Sequence, residues 1–342
     1  MNLLCEFQLE VVDQFFNNIA IRFLRSLPGG AQQIHQRANL KAIRELICYN
    51  QGRLADYSFV ASECHKRLKE ELVRIGSSTA LVSQQDLDIL KNRADDLSGY
   101  LDYEFRRVSH ENFERLLRFF TYKTPLGKPL RACIKAVEGS TMVTLARDKF
   151  SIVEEDFSVG ANTAFTRINE TGTHYICNNI PSEVKRGSYR NARIYEDAVR
   201  QIYSEPGLIR RLRYRHSATA VDRNWQQCWK RVTVANLEEL PPIETCYKST
   251  LVIPMTLLNS NNWLSSEFRS HFNIGANGSR ASFGFLCLDH QNTAFFNENE
   301  DLDLGYIFAD ISSLYLIQRL TYTTYSRAFN EAANLVQRSG MP

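Results

Sequence analysis

The stretch FGFLCLDHQNTAFFNENEDLDL, residues 283–304, joins an apolar run, an aromatic loop and an acidic segment. In the apolar run Phe283, Phe285 and Cys287 fall on one face of a strand, and Leu286 and Leu288 fall on the other. A strand that is apolar on both faces is typical of the inside of a covered sheet. The stretch therefore predicts a central strand.

The end of the same stretch predicts the start of a long amphipathic helix. The apolar residues that follow recur at helical spacing: Leu304, Ile307, Phe308, Ile311, Leu314 and Tyr315. Acidic residues crowd the first turns, where negative charge complements the helix dipole: Glu298, Glu300, Asp301 and Asp303. We interpret the acidic cluster as a helix start and not as a set of catalytic carboxylates.

Four other apolar runs predict the rest of the sheet. LRACIKAV and TMVTLARD flank the short turn Glu138-Gly139-Ser140, which is typical of a β-hairpin. THYICNNI (173–180) and STLVIPM (249–255) predict two more strands, and Pro254 is late enough to lie at the end of the second.

The first third of the chain is predicted to be helical. Two apolar stripes have helical spacing: Leu9, Val12, Phe16, Ile19 and Phe23, and then Leu87, Leu90, Ala94, Leu97 and Leu101. Pro28-Gly29-Gly30 ends the first helix, and a second helical stretch covers about 33–75. Two interpretations remain open, a helical bundle without chemistry and an arm that dimerises or relays a signal.

Composition narrows the class of protein. A length of 342 residues with 44% apolar and 23% charged residues is that of an ordinary globular protein of two domains. Glu6, Glu10 and Asp13 interrupt the apolar N-terminus, which is therefore read as neither a signal peptide nor a membrane span. The eight cysteines form no CxxC pair, so we expect neither a zinc site nor a redox motif, but a reduced cytoplasmic protein.

The chain carries no motif of a common catalytic site. GxSxG, HExxH and GxxxxGK[ST] are absent, and the seven histidines show no metal-ligand spacing. We therefore expect a protein that is not an enzyme and holds no metal.

At the level of motifs, the chain resembles the GAF-domain family. The resemblance lies in YKSTLVIPM, FGFLCLD and AFFNENEDLDLGYIFADISSLYLI, with VGANTAFTRINETGTHYICNNIP upstream of them. It implies an α+β fold, a GAF-like mixed sheet flanked by helices, with a small-molecule pocket on one face under an irregular middle segment. Cyclic-nucleotide-binding members carry an Asn-Lys pair where this chain has Asp289-His290, which puts binding of a classical cyclic mononucleotide in doubt.

The predicted domain organisation follows from this resemblance. Residues 1–110 form an all-α helical arm or bundle, 111–325 a GAF-like domain with a basic insertion at 185–247, and 326–342 a C-terminal extension of the last helix.

The basic insertion is the most informative segment for function. Between 185 and 231 twelve Lys and Arg face four acidic residues, so this segment is net +8 in a chain of net +3. Arginine binds phosphate bidentately and aromatic rings stack on bases. The candidate ligand-binding residues are therefore Arg190, Arg193, Arg210, Arg211, Arg213, Arg215, Tyr214 and Trp225. A structural role stays open, because Arg can pair with acidic residues and Trp225 and Trp229 have the spacing of one helix face entering the core.

Two functions are consistent with these observations. The first is a cytoplasmic, homodimeric sensor that binds an anionic, cyclic-nucleotide-like ligand without any other cofactor and relays it to an effector protein. The second is a non-catalytic interaction scaffold whose basic face docks a protein or nucleic acid; neither function involves a membrane.

Overall fold

The computed structural model describes residues 32–77, 84–120, 130–138, 140–149, 157–203, 218–234, 237–258, 266 and 280–339, and confirms the α+β class. Its helices are α1 (Gln32–Ser77), α2 (Gln84–Phe119), α3 (Thr163–Thr171), α4 (Ile180–Arg186), α5 (Glu196–Tyr203), α6 (Ala218–Gln227) and α7 (Glu298–Ser339). Its strands are β1 (Arg131–Glu138), β2 (Thr141–Arg147), β3 (Phe157–Ser158), β4 (Tyr175–Cys177), β5 (Val232–Val234), β6 (Leu237–Glu239), β7 (Ser249–Leu258) and β8 (Arg280–His290).

The chain divides into two compact units. One comprises the described residues up to 111 together with those from 310 onward, and the other comprises the described part of 112–309.

The second unit contains a six-stranded sheet of order β3-β2-β1-β8-β7-β4. Every neighbouring pair is antiparallel, so the prediction of a mixed sheet is wrong. β1 and β2 follow each other in the chain, as do β7 and β8, and such strands can pair antiparallel without the crossover connection that parallel neighbours require. The other neighbouring pairs of the sheet are antiparallel as well. β8 lies between β1 and β7, which confirms the central strand predicted from FGFLCLD.

The hairpin predicted at residues 138–140 is confirmed, because Glu138 pairs with Thr141. The strand predicted over 173–180 is shorter than expected and covers Tyr175–Cys177 alone. The last residues of the predicted strand belong to the start of α4 instead. The Asn179 side chain caps this helix by accepting a hydrogen bond from the Ser182 N–H (3.2 Å), and Pro181 lies in its first turn.

The loop between β8 and α7 explains the aromatic pair of the opening stretch. The His290 ring stacks on Phe295 at 3.7 Å between centroids, and Phe295 packs edge-on against Phe296. Asn178 clamps this loop, since it donates to the Phe296 carbonyl (2.7 Å) and accepts from the Phe296 N–H (3.0 Å). The Asn297 N–H donates to the Asp301 side chain (2.7 Å), so this acidic residue caps the helix. The helix start predicted from the acidic cluster is confirmed, because α7 begins at Glu298.

The first unit consists of α1, the part of α2 up to residue 111 and the part of α7 from residue 310 onward. The Tyr315 hydroxyl donates to the backbone oxygen (3.2 Å) and the side-chain oxygen (3.1 Å) of Asn50 on α1. Arg319 donates to Asp102 on α2 (2.6 Å), and the Tyr322 hydroxyl donates to the carbonyl of a buried alanine of the same helix (3.3 Å). Polar contacts, those of Tyr315 and Tyr322 buried and that of Arg319 partly buried, therefore hold the three helices against one another. Among the helices described, none has an apolar stretch that could cross a membrane.

Candidate functional site

One face of the six-stranded sheet carries polar and thiol side chains in rows across neighbouring strands. The pairs across β1 and β8 are Arg131–Asp289, Cys133–Cys287 and Lys135–Phe285. On β7, Thr250 extends the first row and Val252 extends the second. Side chains that are directly opposite in an antiparallel pair share a face, so these rows form one floor.

The start of α3 and the segment 189–193 cover this floor as a roof. The Thr163 N–H donates to the Arg190 carbonyl (3.0 Å), and the Thr163 hydroxyl accepts from the Arg190 N–H (2.8 Å). The Asn162 side chain caps α3 by accepting from the Ala164 N–H (2.9 Å). The two hydrogen bonds between Thr163 and Arg190 thus hold the roof segment against the start of α3.

Asn191 connects the roof to the wall of the site. Its side-chain nitrogen donates to the Tyr247 hydroxyl (2.8 Å), and its side-chain oxygen accepts from the Arg193 N–H (2.9 Å). Burial raises the pKa of the neighbouring Tyr189 well above its ordinary value, so that hydroxyl stays protonated and able to donate. The buried amide therefore holds Arg193 in place relative to the two tyrosines.

A cavity of about 20 Å³ lies between the floor and the roof. This volume has room for about one water molecule. Its lining includes the polar side chains of Lys135, Asn162, Asn191, Arg193, Thr250 and Asp289, together with the tyrosines Tyr189 and Tyr247. The cavity is therefore small but polar, with two cationic side chains and a carboxylate at its surface.

The two cations of the cavity lie on aromatic rings. The Lys135 ammonium, in a residue that is 5% exposed, donates to the Thr144 hydroxyl (2.9 Å) and lies 5.0 Å from the centre of the Phe157 ring. The Arg193 guanidinium lies 5.5 Å from the centre of the Trp229 ring. The quadrupole of an aromatic ring attracts a cation over its face, so Phe157 and Trp229 each stabilise one of these side chains beside the cavity.

Two cysteines occupy the middle row of the floor and also line the cavity, Cys133 half-buried and Cys287 buried. Burial raises the pKa of the Cys287 thiol, and a hydrogen bond to Cys133 raises it further. Burial likewise raises the pKa of Cys228, which belongs to a core cluster with Trp225 and Trp229, to about 12. The cysteines of the described residues are all free thiols.

The predicted ligand-binding residues are placed in different environments. Arg193 lines the cavity, whereas the Arg190 side chain is 73% exposed and lies 3.8 Å from Glu196. Trp225 is 0% exposed and donates to the Tyr247 carbonyl (3.0 Å), so it packs in the core, as the alternative interpretation of its spacing expects. The remaining predicted residues lie outside the described part of the chain: Arg210, Arg211, Arg213, Tyr214 and Arg215.

Several arginines of the basic insertion pair with acidic residues close in sequence. Arg186 contacts Glu183 at 2.8 Å, and Arg200 contacts Glu196 at 3.4 Å. These exposed pairs neutralise part of the local charge and contribute little to stability.

Lys135, Asn191 and Asp289 line the cavity but were not predicted as site residues. A signal was present for Lys135, because Arg131 and Lys135 are charged residues at alternating positions of an apolar strand, which places them on one face. Asn191 offered no such signal, since its role arises from partners distant in the chain.

In the described ranges, no cluster of three or more His, Cys, Asp or Glu side chains is placed to hold a metal ion. A scan of the chain against protein-family models gives no match, and neither does a comparison with curated protein sequences.

Proposed function

We propose that this chain is a regulatory, non-catalytic protein of GAF-like type that binds a small anionic ligand between the sheet and its roof. The observation that carries the proposal is the cavity lined by both Lys135 and Arg193 on one sheet face. The two cations outnumber the one carboxylate of the lining, Asp289, and amide and hydroxyl donors lie beside them. Such a site suits a phosphate or carboxylate group, since hydrogen bonds to charged groups are the strong ones. A roof over one sheet face is also what the GAF resemblance implies.

The size of the cavity defines how a nucleotide-like ligand would bind. About 20 Å³ does not hold a nucleotide, so the anionic group would enter first and the roof segment 189–193 would move away from the floor. That movement breaks the hydrogen bonds of Arg190 to Thr163 and of Asn191 to Tyr247. The output would pass to a partner effector through α7, which is one continuous helix over Glu298–Ser339.

The test is a thermal-shift and calorimetric screen of the full chain against inorganic phosphate and cyclic mono-, di- and oligonucleotides. A ligand present at about 100 times its Kd should raise stability by about 2.7 kcal/mol. Arg193→Glu is expected to abolish that rise. The matched control is Arg190→Glu, three residues away and directed outward, which is expected to keep it.

Two results would contradict the proposal. One is a panel in which no anion changes the melting temperature. The other is a ligand that binds equally well to the Arg193→Glu and Arg190→Glu variants, because its site would then lie away from the cavity.

A second candidate function, an interaction scaffold, is favoured by the exposed basic side chains around the roof. Among the described residues of the insertion, these are Lys185, Arg186, Arg190, Arg200, Arg223, Lys230 and Arg231. A basic surface of this kind binds polyanions with an affinity that falls steeply with salt. Salt-dependent binding of single-stranded nucleic acid or an acidic protein, without stabilisation by any small anion, would favour the scaffold over the sensor.

A further inference from the structure

The cysteine pair on the floor of the cavity has the geometry of a cross-strand dithiol. Cys133 on β1 and Cys287 on β8 are direct register partners, and both line the cavity. Opposed residues of antiparallel strands have Cα atoms about 4.5 or 5.5 Å apart, depending on the type of pair. Both separations fall in the range of about 4.4–6.8 Å that a disulfide spans.

We propose that Cys133 and Cys287 form a disulfide when a hydroperoxide enters the cavity, which makes the sheet face a site of oxidative modification. The Cys133 sulfur attacks a peroxide oxygen and the O–O bond breaks, so that Cys133 becomes a sulfenic acid, and the hydroxide or alkoxide that leaves takes the Cys133 proton as water or an alcohol. The Cys287 sulfur then attacks the sulfenic sulfur, the S–S bond forms, and hydroxide leaves and takes the Cys287 proton as water. Two thiols are oxidised and one peroxide is reduced.

The surroundings of Cys133 and Cys287 determine which oxidant can enter the cavity and which of the two cysteines reacts first. A cavity with room for about one water molecule admits hydrogen peroxide with little movement but not a glutathione-sized disulfide. Cys133 is half-buried whereas Cys287 is buried, so the peroxide reaches Cys133 first. Burial raises the pKa of the Cys287 thiol, and the charge of Lys135 on the same face opposes part of that rise.

The decisive experiment maps the disulfides of the wild-type chain. The native protein is incubated with hydrogen peroxide, free thiols are alkylated after unfolding, and the digest is analysed by mass spectrometry. The expected result is one cross-linked peptide that joins Cys133 to Cys287, with the other cysteines alkylated. Because this measurement uses the wild-type chain, it does not depend on the folding of any variant or on ligand binding.

Variants test the order of the steps. Cys287→Ser is expected to stop at a sulfenic acid on Cys133, which dimedone traps, and Cys133→Ser is expected to give neither product. Cys177→Ser is the matched control, because the register partner of Cys177 is Thr250 and not a cysteine, and it should still form the bridge. The proposal is overturned if Cys133 is oxidised to sulfinic acid while Cys287 stays alkylated, if the bridge joins other cysteines, or if both thiols survive the treatment.

Discussion

Replacement of Gly305 by alanine tests how α7 packs on the sheet of the second unit. Gly305 is buried, and a methyl group added to it would overlap the Cδ1 atom of Ile253 on β7. The same methyl would lie at 3.6 Å from Ile253 Cγ1 and at 3.8 Å from Leu251 Cδ2, which are ordinary contacts. The obstacle is therefore the terminal methyl of one buried side chain.

The magnitude follows from two opposing terms. Overpacking a buried site costs about 1–3 kcal/mol, whereas Gly→Ala inside a helix recovers up to about 1 kcal/mol of helix propensity. We expect Gly305→Ala to lower the free energy of unfolding by about 1–2 kcal/mol. Ile253→Val removes the overlapping methyl and by itself costs about 0.5–1.5 kcal/mol. The double variant should then be at least as stable as Ile253→Val, so the two losses are not additive.

Urea unfolding of the four proteins measures this coupling, and Gly99→Ala is the control. Gly99 lies in α2 with nothing within 4 Å of an added Cβ, so its replacement should stabilise the protein. The reasoning is refuted if Gly305→Ala is as stable as the wild type, or if the double variant loses the full sum of the single losses.

Three further predictions concern buried polar groups. In denaturant unfolding, Trp225→Phe should lower the free energy of unfolding by about 1–3 kcal/mol more than Trp229→Phe does. The reason is that the Trp225 N–H donates to a buried carbonyl, whereas the Trp229 N–H has no partner among the described residues. Tyr315→Phe removes the hydroxyl that donates to Asn50 and should cost about 1–2 kcal/mol in the same measurement; an unchanged stability would mean that this bond is replaced. Burial lowers the pKa of His65 from 6.5 to about 4, so the unfolded chain binds more protons between these values and stability should fall as the pH falls through them. At pH 5 the loss relative to pH 7 should reach about 1–2 kcal/mol, and His65→Phe should lack that part of the pH dependence.

The sequence predicted those features of the fold that depend on neighbours along the chain. Apolar residues on both faces of FGFLCLD indicated the central strand, the turn after Glu138 indicated the hairpin, and the acidic cluster indicated the start of α7; each is present. The end of the strand predicted at 173–180 was wrong because the capping side chain of Asn179 and Pro181 favour a helix there.

The candidate site could be predicted only in part. Arg193 was selected from the basic composition of its segment and does line the cavity, whereas Trp225, selected by the same argument, is buried in the core. Composition measures which groups a segment carries but not the direction in which each one points. The spacing of the cysteines likewise gave no sign that Cys133 and Cys287 are direct partners.

By itself, the sequence determined the class of fold, the central position of β8 and the start of its last helix, because hydrophobic periodicity and helix capping act over a few residues. Only the tertiary structure decided that every strand pair is antiparallel and that Lys135, Cys133, Cys287 and Asp289 share one floor. The reason is that strand register pairs residues that are far apart in the chain, and the sequence of the intervening segments does not specify which strands become neighbours.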